Sequence, residues 1–219
     1  DVRNGAGDSV VVLKNVDGSI EGGLAGILVW AATANSEASV SVDACDLTLM
    51  SKKAGGFGGN TQYSGIAVTA EGVIGVECSI DIEDSVVNAS GRDAGIAINN
   101  FVGDGNGASA RINITNSTVS ACGRNNVWSG IFASTTGKAD GADAIITITD
   151  SSVYAASASL GAMTSSQVGV SKIVLDNSIL GVSGKTALNM KKFTIHKWIR
   201  RRNNYGKKNT IRASASIFL

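Results

Sequence analysis

Apolar and polar residues alternate along most of this chain in short bursts, and the bursts share one outline. In Ile80-Asp81-Ile82-Glu83-Asp84-Ser85-Val86-Val87-Asn88-Ala89, two isoleucines precede an Asp-Ser pair, and Val87 and Ala89 resume the alternation beyond it. The outline returns at Ile112 to Ala121, Ile146 to Ala155 and Ile173 to Val182, and more loosely around Asn15 and Asp46. Alternation with a period of two places one set of side chains on one face of a strand, so each copy predicts two short strands joined at a polar corner. A third apolar stretch follows a glycine: Gly26-Ile27-Leu28-Val29, Gly65-Ile66-Ala67-Val68, Gly95-Ile96-Ala97-Ile98, Gly130-Ile131-Phe132-Ala133 and a weaker Gly161-Ala162-Met163-Thr164. With Asn15, Asp46, Asp84, Asn116, Asp150 and Asn177 as corner marks, the copies recur every 27–38 residues.

A repeat of this length with three strands and no helical segment excludes alternating βαβ units, and an antiparallel sandwich predicts no such period. The pattern therefore predicts an all-β parallel β-helix (β-solenoid) of about six coils of three short strands, spanning residues 1–190. Six coils stacked at the strand spacing make a rod roughly 25–30 Å long. Columns of like residues would fill its interior, among them Ile80, Ile112, Ile146 and Ile173. Asn and Asp suit the corner because they tolerate left-handed backbone and bond locally, and Ser85, Ser117, Ser151 and Ser178 form a column beside them. The same parity turns Asp43, Asp81, Asn113 and Thr147 outward in one column, and Cys45, Glu83, Thr115, Thr149 and Asp176 in the next. Leu28, Ala67, Ala97, Phe132 and Met163 make an outward apolar column, expected to be covered by a loop or neighbouring segment rather than to serve a partner.

Composition agrees with many strands and turns: 27 Gly, no Pro and few long charged side chains. The net charge of +1 conceals two unlike parts. Residues 1–190 hold 10 Lys/Arg and 18 Asp/Glu, whereas residues 191–219 hold 9 Lys/Arg and no acid. The repeat stops at about Lys191, so 191–219 reads as a basic tail: a cap, a disordered end or a reading-frame artefact. Nucleic-acid binding through its Trp198 and Tyr205 finds no motif to support it. No apolar run reaches the ~20 residues of a membrane span. No signal peptide is visible, and Asp1 suggests a processed or cut N-terminus. The three cysteines lack zinc or disulfide spacing, and Cys78 shares the parity of the inward isoleucines.

Candidate chemistry is sparse in the repeat. The one histidine, His196, lies in the tail, so no Ser/His/Asp or Cys/His set can form among the coils. Asp81 and Glu83, with Asp43, are outward carboxylates of the kind that glycoside hydrolysis uses in pairs, although a solvated polar sheet face is the favoured reading of them. Sugar sites combine aromatic rings with polar groups. Trp30, Phe57, Tyr63, Trp128 and Tyr154 are the aromatics expected outside the core, and Arg124 stands beside Trp128 in one loop. Calcium is the one ion the composition suits, through Asp104, Asp140 and Asp143 in Gly-rich loops, which are also ordinary turn sequences. No other cofactor is implied.

The pattern I-x-I-x-[DN]-S-x-V-x-A, then a Gly-rich loop and Ser/Ala-Gly-Ile-Ala, resembles the repeats of right-handed parallel β-helix proteins of bacterial surfaces. The closest stretches are Arg111 to Gly123 and Ala144 to Ala155, within a likeness covering about residues 10–190. This chain has Asp-Ser or Asn-Ser where those repeats often have Gly-Gly. The resemblance implies a right-handed helix and a non-enzymatic, extracellular module of a bacterial cell surface. Such a module would bind a polysaccharide or a host or cell-surface glycan, or act as an adhesin stalk. A polysaccharide lyase or hydrolase of β-helix type and a purely structural spacer are the alternatives. The ligand-binding candidates are Tyr63, Arg124, Trp128, Asp81 and Glu83; no catalytic or metal-binding residue is assigned.

Overall fold

The computed structural model describes residues 2–4, 7–52, 63–71, 75–101, 109–123, 130–135, 142–156, 160–164, 169–183, 188–190 and 209–213. They form a right-handed parallel β-helix of six coils with no helix among them. The first sheet stacks Ser9–Lys14, Glu37–Asp43, Glu77–Glu83, Ser109–Thr115, Ala144–Thr149 and Ser171–Asp176. The second, after the corner, stacks Asp17–Gly22, Asp46–Ser51, Val86–Gly91, Thr118–Gly123, Ser152–Ala156 and Ser178–Ser183. The third stacks Val2–Asn4, Ile27–Ala31, Ser64–Glu71, Ala94–Phe101, Ile131–Thr135, Leu160–Thr164 and Leu188–Met190.

The core is built from registered columns. Val11, Val40, Ile80, Ile112, Ile146 and Ile173 stack in the first sheet, with Leu13, Val42, Ile82, Ile114, Ile148 and Leu175 beside them. Ile80, Ile82, Ile112, Ile114, Ile146 and Ile148 are fully buried, each stabilising the stack by about 1.5–3 kcal/mol. Small Ala89, Ala121 and Ala155 in the second sheet leave room for these branched chains. Cys78 lies in the same core, and burial pushes its thiol far above the ordinary range, so it is an apolar filler.

The corner residues adopt left-handed backbone: φ is 53° at Asn15, 48° at Asp84, 47° at Asn116, 49° at Asp150 and 44° at Asn177. Asn and Asp accept that conformation most readily after glycine. The second coil departs from the predicted register. Its left-handed corner is Ala44, at φ 51°, not Asp46. Val40 and Val42 therefore enter the core, Ala44 is exposed, and Leu47 stacks on Val87. Asp46 misled the reading because it has the chemistry of a corner residue, while alanine supplies none.

The third sheet corrects one more alignment. Leu160 stacks on Ile131, and Gly161, not Met163, lies opposite Phe132. Leu28, Ala67, Ala97 and Phe132 do point away from the main core, yet all are buried, as are Thr69, Asn99 and Ser134 on the same face. That face is covered within the chain, as the sequence predicted. The basic tail contributes Asn209–Ala213, which pairs antiparallel with Ser178–Ser183 along the outer edge of the last coil. Among the described residues, no helix is long and apolar enough to cross a membrane.

Candidate functional site

Two hydrogen-bonded ladders line the corner. In the first, each serine donates its backbone N–H to the Oγ of the next coil's serine: Ser85 to Ser117 at 3.0 Å, Ser117 to Ser151 at 3.0 Å and Ser151 to Ser178 at 3.1 Å. Each Oγ in turn donates to the carbonyl two residues before it, as Ser117 does to Thr115 at 2.7 Å. Cys45 takes the same place in the second coil, its N–H donating to Ser85 Oγ at 3.0 Å and its thiol to the Asp43 carbonyl at 3.2 Å. Cys45 is thus a corner residue and not a member of the outward Glu83 column, as the register had suggested. In the second ladder, amides and carboxylates alternate: Asn116 Nδ2 donates to Asp84 Oδ1 and Asn177 Nδ2 to Asp150 Oδ1, each at 2.5 Å.

These ladders floor a shallow groove of about 300 Å³ between the fourth and sixth coils, lined by Asn116, Thr118, Asp150, Ser152, Asn177 and Ile179. Its rim offers hydroxyl, amide and carboxylate groups beside one exposed apolar side chain. Tyr154 follows on the same outward face as Ser152 and is 38% exposed. Gly181 stands opposite it in the next coil, where a Cβ would lie 3.0 Å from the ring's Cδ2. The missing side chain leaves the tyrosine ring room to lie along the sheet. The sequence named Tyr154 only as an outward aromatic. The juxtaposition with the groove depends on stacking residues some thirty positions apart, which no local motif announces.

The first sheet's outward face is polar. Asp81 stacks between Ser41 and Asn113, and Asp43 between Lys14 and Glu83. Asp43 and Asp81 therefore belong to different columns, a consequence of the corrected corner. Asp81 accepts from Asn113 Nδ2 at 2.7 Å and from Ser79 Oγ at 3.2 Å. Lys14 Nζ lies 2.6 Å from Asp43 Oδ2; this hydrogen bond, then the charges of Asp43 and Glu83, raises the Lys14 amine above its ordinary value. Thr115, Thr147 and Thr149 continue the half-buried polar surface.

Tyr63 is not outward: it is 9% exposed, at the turn that enters the third sheet. The Arg92 guanidinium carbon sits 5.5 Å from its ring centroid, and its carbonyl accepts the Asp93 N–H at 3.0 Å. Asp93 is itself 3% exposed, with Arg92 Nε 3.7 Å from Oδ1. Burial raises the Asp93 carboxyl above its ordinary value, and the Arg92 charge and the Tyr63 backbone contact draw it partly back. The structure thus places Tyr63 with Arg92 and Asp93, apart from Asp81 and Glu83 on the first sheet's outer face. Arg124, Trp128 and Phe57 lie outside the described residues, as do Asp104 and Asp140. Asp143 Oδ1 accepts the Val170 N–H at 2.8 Å and so ties adjacent coils together. Among the described residues, no group of three or more His, Cys, Asp or Glu is placed to hold a metal ion.

The fold and these surfaces define a parallel β-solenoid with a polar corner groove. No protein-family model matches the chain, and no curated protein or solved structure matches it.

Proposed function

We propose that the protein is a non-enzymatic, secreted or cell-surface module that binds carbohydrate. The observation that carries this reading is the corner groove, which gathers hydroxyl, amide and carboxylate groups of Thr118, Ser152, Asn116, Asn177 and Asp150, with the exposed Tyr154 two residues beyond Ser152 on the same outward face. Sugars present hydroxyls on their edges and C–H groups on their faces, so they are held by polar side chains beside an aromatic plane. The strand spacing of about 4.8 Å is close to the length of a sugar ring, so a polysaccharide along the axis would meet equivalent groups coil after coil. The stacked Asp81, Asn113 and Ser79 offer a second polar surface of the same kind. The repeat resemblance to bacterial surface β-helices points to the same class of ligand and the same location.

A glycan array on the full chain tests the reading. Binding to a polysaccharide that Tyr154→Ala and Thr118→Ala abolish, with Asp81→Asn retaining it, supports the corner groove. Loss in Asp81→Asn alone moves the site to the first sheet. The absence of any bound glycan, or release of sugar fragments by the parent protein, overturns the proposal.

A further inference from the structure

The amide–carboxylate ladder along the corner is interrupted. Asn116 donates back to Asp84 and Asn177 back to Asp150, so these corner residues bond two by two. No hydrogen bond joins the Asn116 and Asp150 side chains, although the two stand in adjacent coils, where the Asn116 N–H donates to the Thr149 carbonyl at 3.1 Å. Asn116 Oδ1 and Asp150 Oδ2 are both acceptors, and neither receives a donor from the chain. The hydroxyls of Thr118 and Ser152, opposite each other in the second sheet, are exposed and likewise make no hydrogen bond within the chain. All four residues line the corner groove.

The charge around this gap has one sign. Glu83, Asp84 and Asp176 lie along the axis at roughly one and a half strand spacings from it, or about 7 Å. The Asn209–Ala213 strand sets Arg212 opposite Ile179 at the C-terminal margin of the groove. That is roughly two and a half spacings from the gap, or about 12 Å, beyond the ~8 Å over which physiological salt screens a charge. Facing acceptors in an anionic setting require a donor, and a protonated amine supplies three together with the complementary charge. One carboxylate, one amide oxygen and two hydroxyls fall short of the roughly six to eight oxygens that calcium takes.

We propose that the gap between Asn116 and Asp150 holds the ammonium group of an amino sugar, a selectivity that rests on the carbohydrate reading of the same groove. The groove then prefers polysaccharides with free amines to acetylated or acidic ones. Asp150 Oδ2 takes the charge and one N–H, Asn116 Oδ1 takes a second, and Thr118 and Ser152 meet the hydroxyls next to the amine. Acetylation removes the charge and two of the three donors. A uronic acid sets its carboxylate against Asp150 and is repelled. Lysine side chains carry the same ammonium but lack the adjacent hydroxyls that Thr118 and Ser152 would bond, so a sugar is the better match.

Calorimetric titration of the full chain with oligomers of glucosamine, N-acetylglucosamine, galacturonic acid and lysine, all of equal length, tests the site. The parent protein should bind the glucosamine oligomer about 5- to 30-fold more tightly than the acetylated one, between the effect of an exposed ion pair and that of a hydrogen bond to a charged group. Asp150→Asn should remove the preference with unchanged circular dichroism and melting, because asparagine already serves the left-handed corner at Asn116 and Asn177 and can still accept from the Asn177 amide. Asp176→Asn removes an equal charge from outside the groove lining and should keep the preference. Several results would overturn the assignment while leaving the carbohydrate reading in place, provided another glycan binds on the array. They are no binding of the glucosamine oligomer, equal or tighter binding of the acetylated or acidic one, a preference that survives Asp150→Asn or falls equally in Asp176→Asn, and oligolysine bound as tightly as the amino sugar. An array on which no glycan binds removes both.

Discussion

The corner serines show how one side chain satisfies two neighbouring coils. Ser117 accepts the buried Ser85 N–H and donates to the Thr115 carbonyl, while its own N–H goes to Ser151. Ser117→Ala would leave the Ser85 N–H unpaired in a buried position, at a cost of about 1–3 kcal/mol. Ser117→Cys should cost less, because Cys45 fills the equivalent place in the second coil; chemical denaturation of the two variants measures the difference. Asp93 acts in the opposite sense. Its carboxyl is raised in the folded state above the ordinary aspartate value of 3.8, so its protonated form favours folding. That contribution is present below pH 3.8 and is lost as the pH rises through the raised folded value. The melting temperature of Asp93→Asn relative to the parent should therefore improve as pH increases across this window. A melting series from acid to neutral pH checks the sign.

Several third-sheet strands begin where the chain passes close to a neighbouring coil, and glycine makes the approach feasible. A Cβ at Gly95 would lie 2.5 Å from the Cys122 nitrogen, and one at Gly65 would lie 2.7 Å from the Ser90 nitrogen. Neither backbone can yield without shifting its ladder. Gly95→Ala should cost about 1–3 kcal/mol, as overpacking does, and thermal unfolding would record it. These glycines were legible in the sequence as the start of each third strand, and the strands themselves followed from alternation. Alignment was less legible where corner chemistry was atypical. Ala44 carries no polar side chain to mark its left-handed turn, whereas Asp46 two residues on looks like a corner and is a strand residue. In the fifth coil Leu160 begins the strand without a preceding glycine, which displaced the expected alignment toward Met163.

Taken whole, the solenoid is stabilised between neighbouring coils, so an uncovered strand edge invites association. Deleting residues 209–219 should uncover the Ser178–Ser183 edge and raise aggregation, read by light scattering against the full chain. The sequence by itself determined the all-β class, the six coils, the inward isoleucine columns and the polar corners. Period-two alternation and a long repeat admit few other architectures, and each signal is local to one coil. Tertiary structure alone decided which residues of different coils become neighbours. Slipping one coil by two residues preserves every inside/outside assignment, so alternation could not distinguish Asp43 beside Glu83 from Asp43 beside Asp81. Nor could it place Tyr63 in a buried turn beneath Arg92, or bring Asn116, Asp150 and Asn177 together along one groove. Those arrangements depend on inter-coil hydrogen bonds and close packing, which link positions some thirty residues apart and leave no trace in the pattern of any single strand.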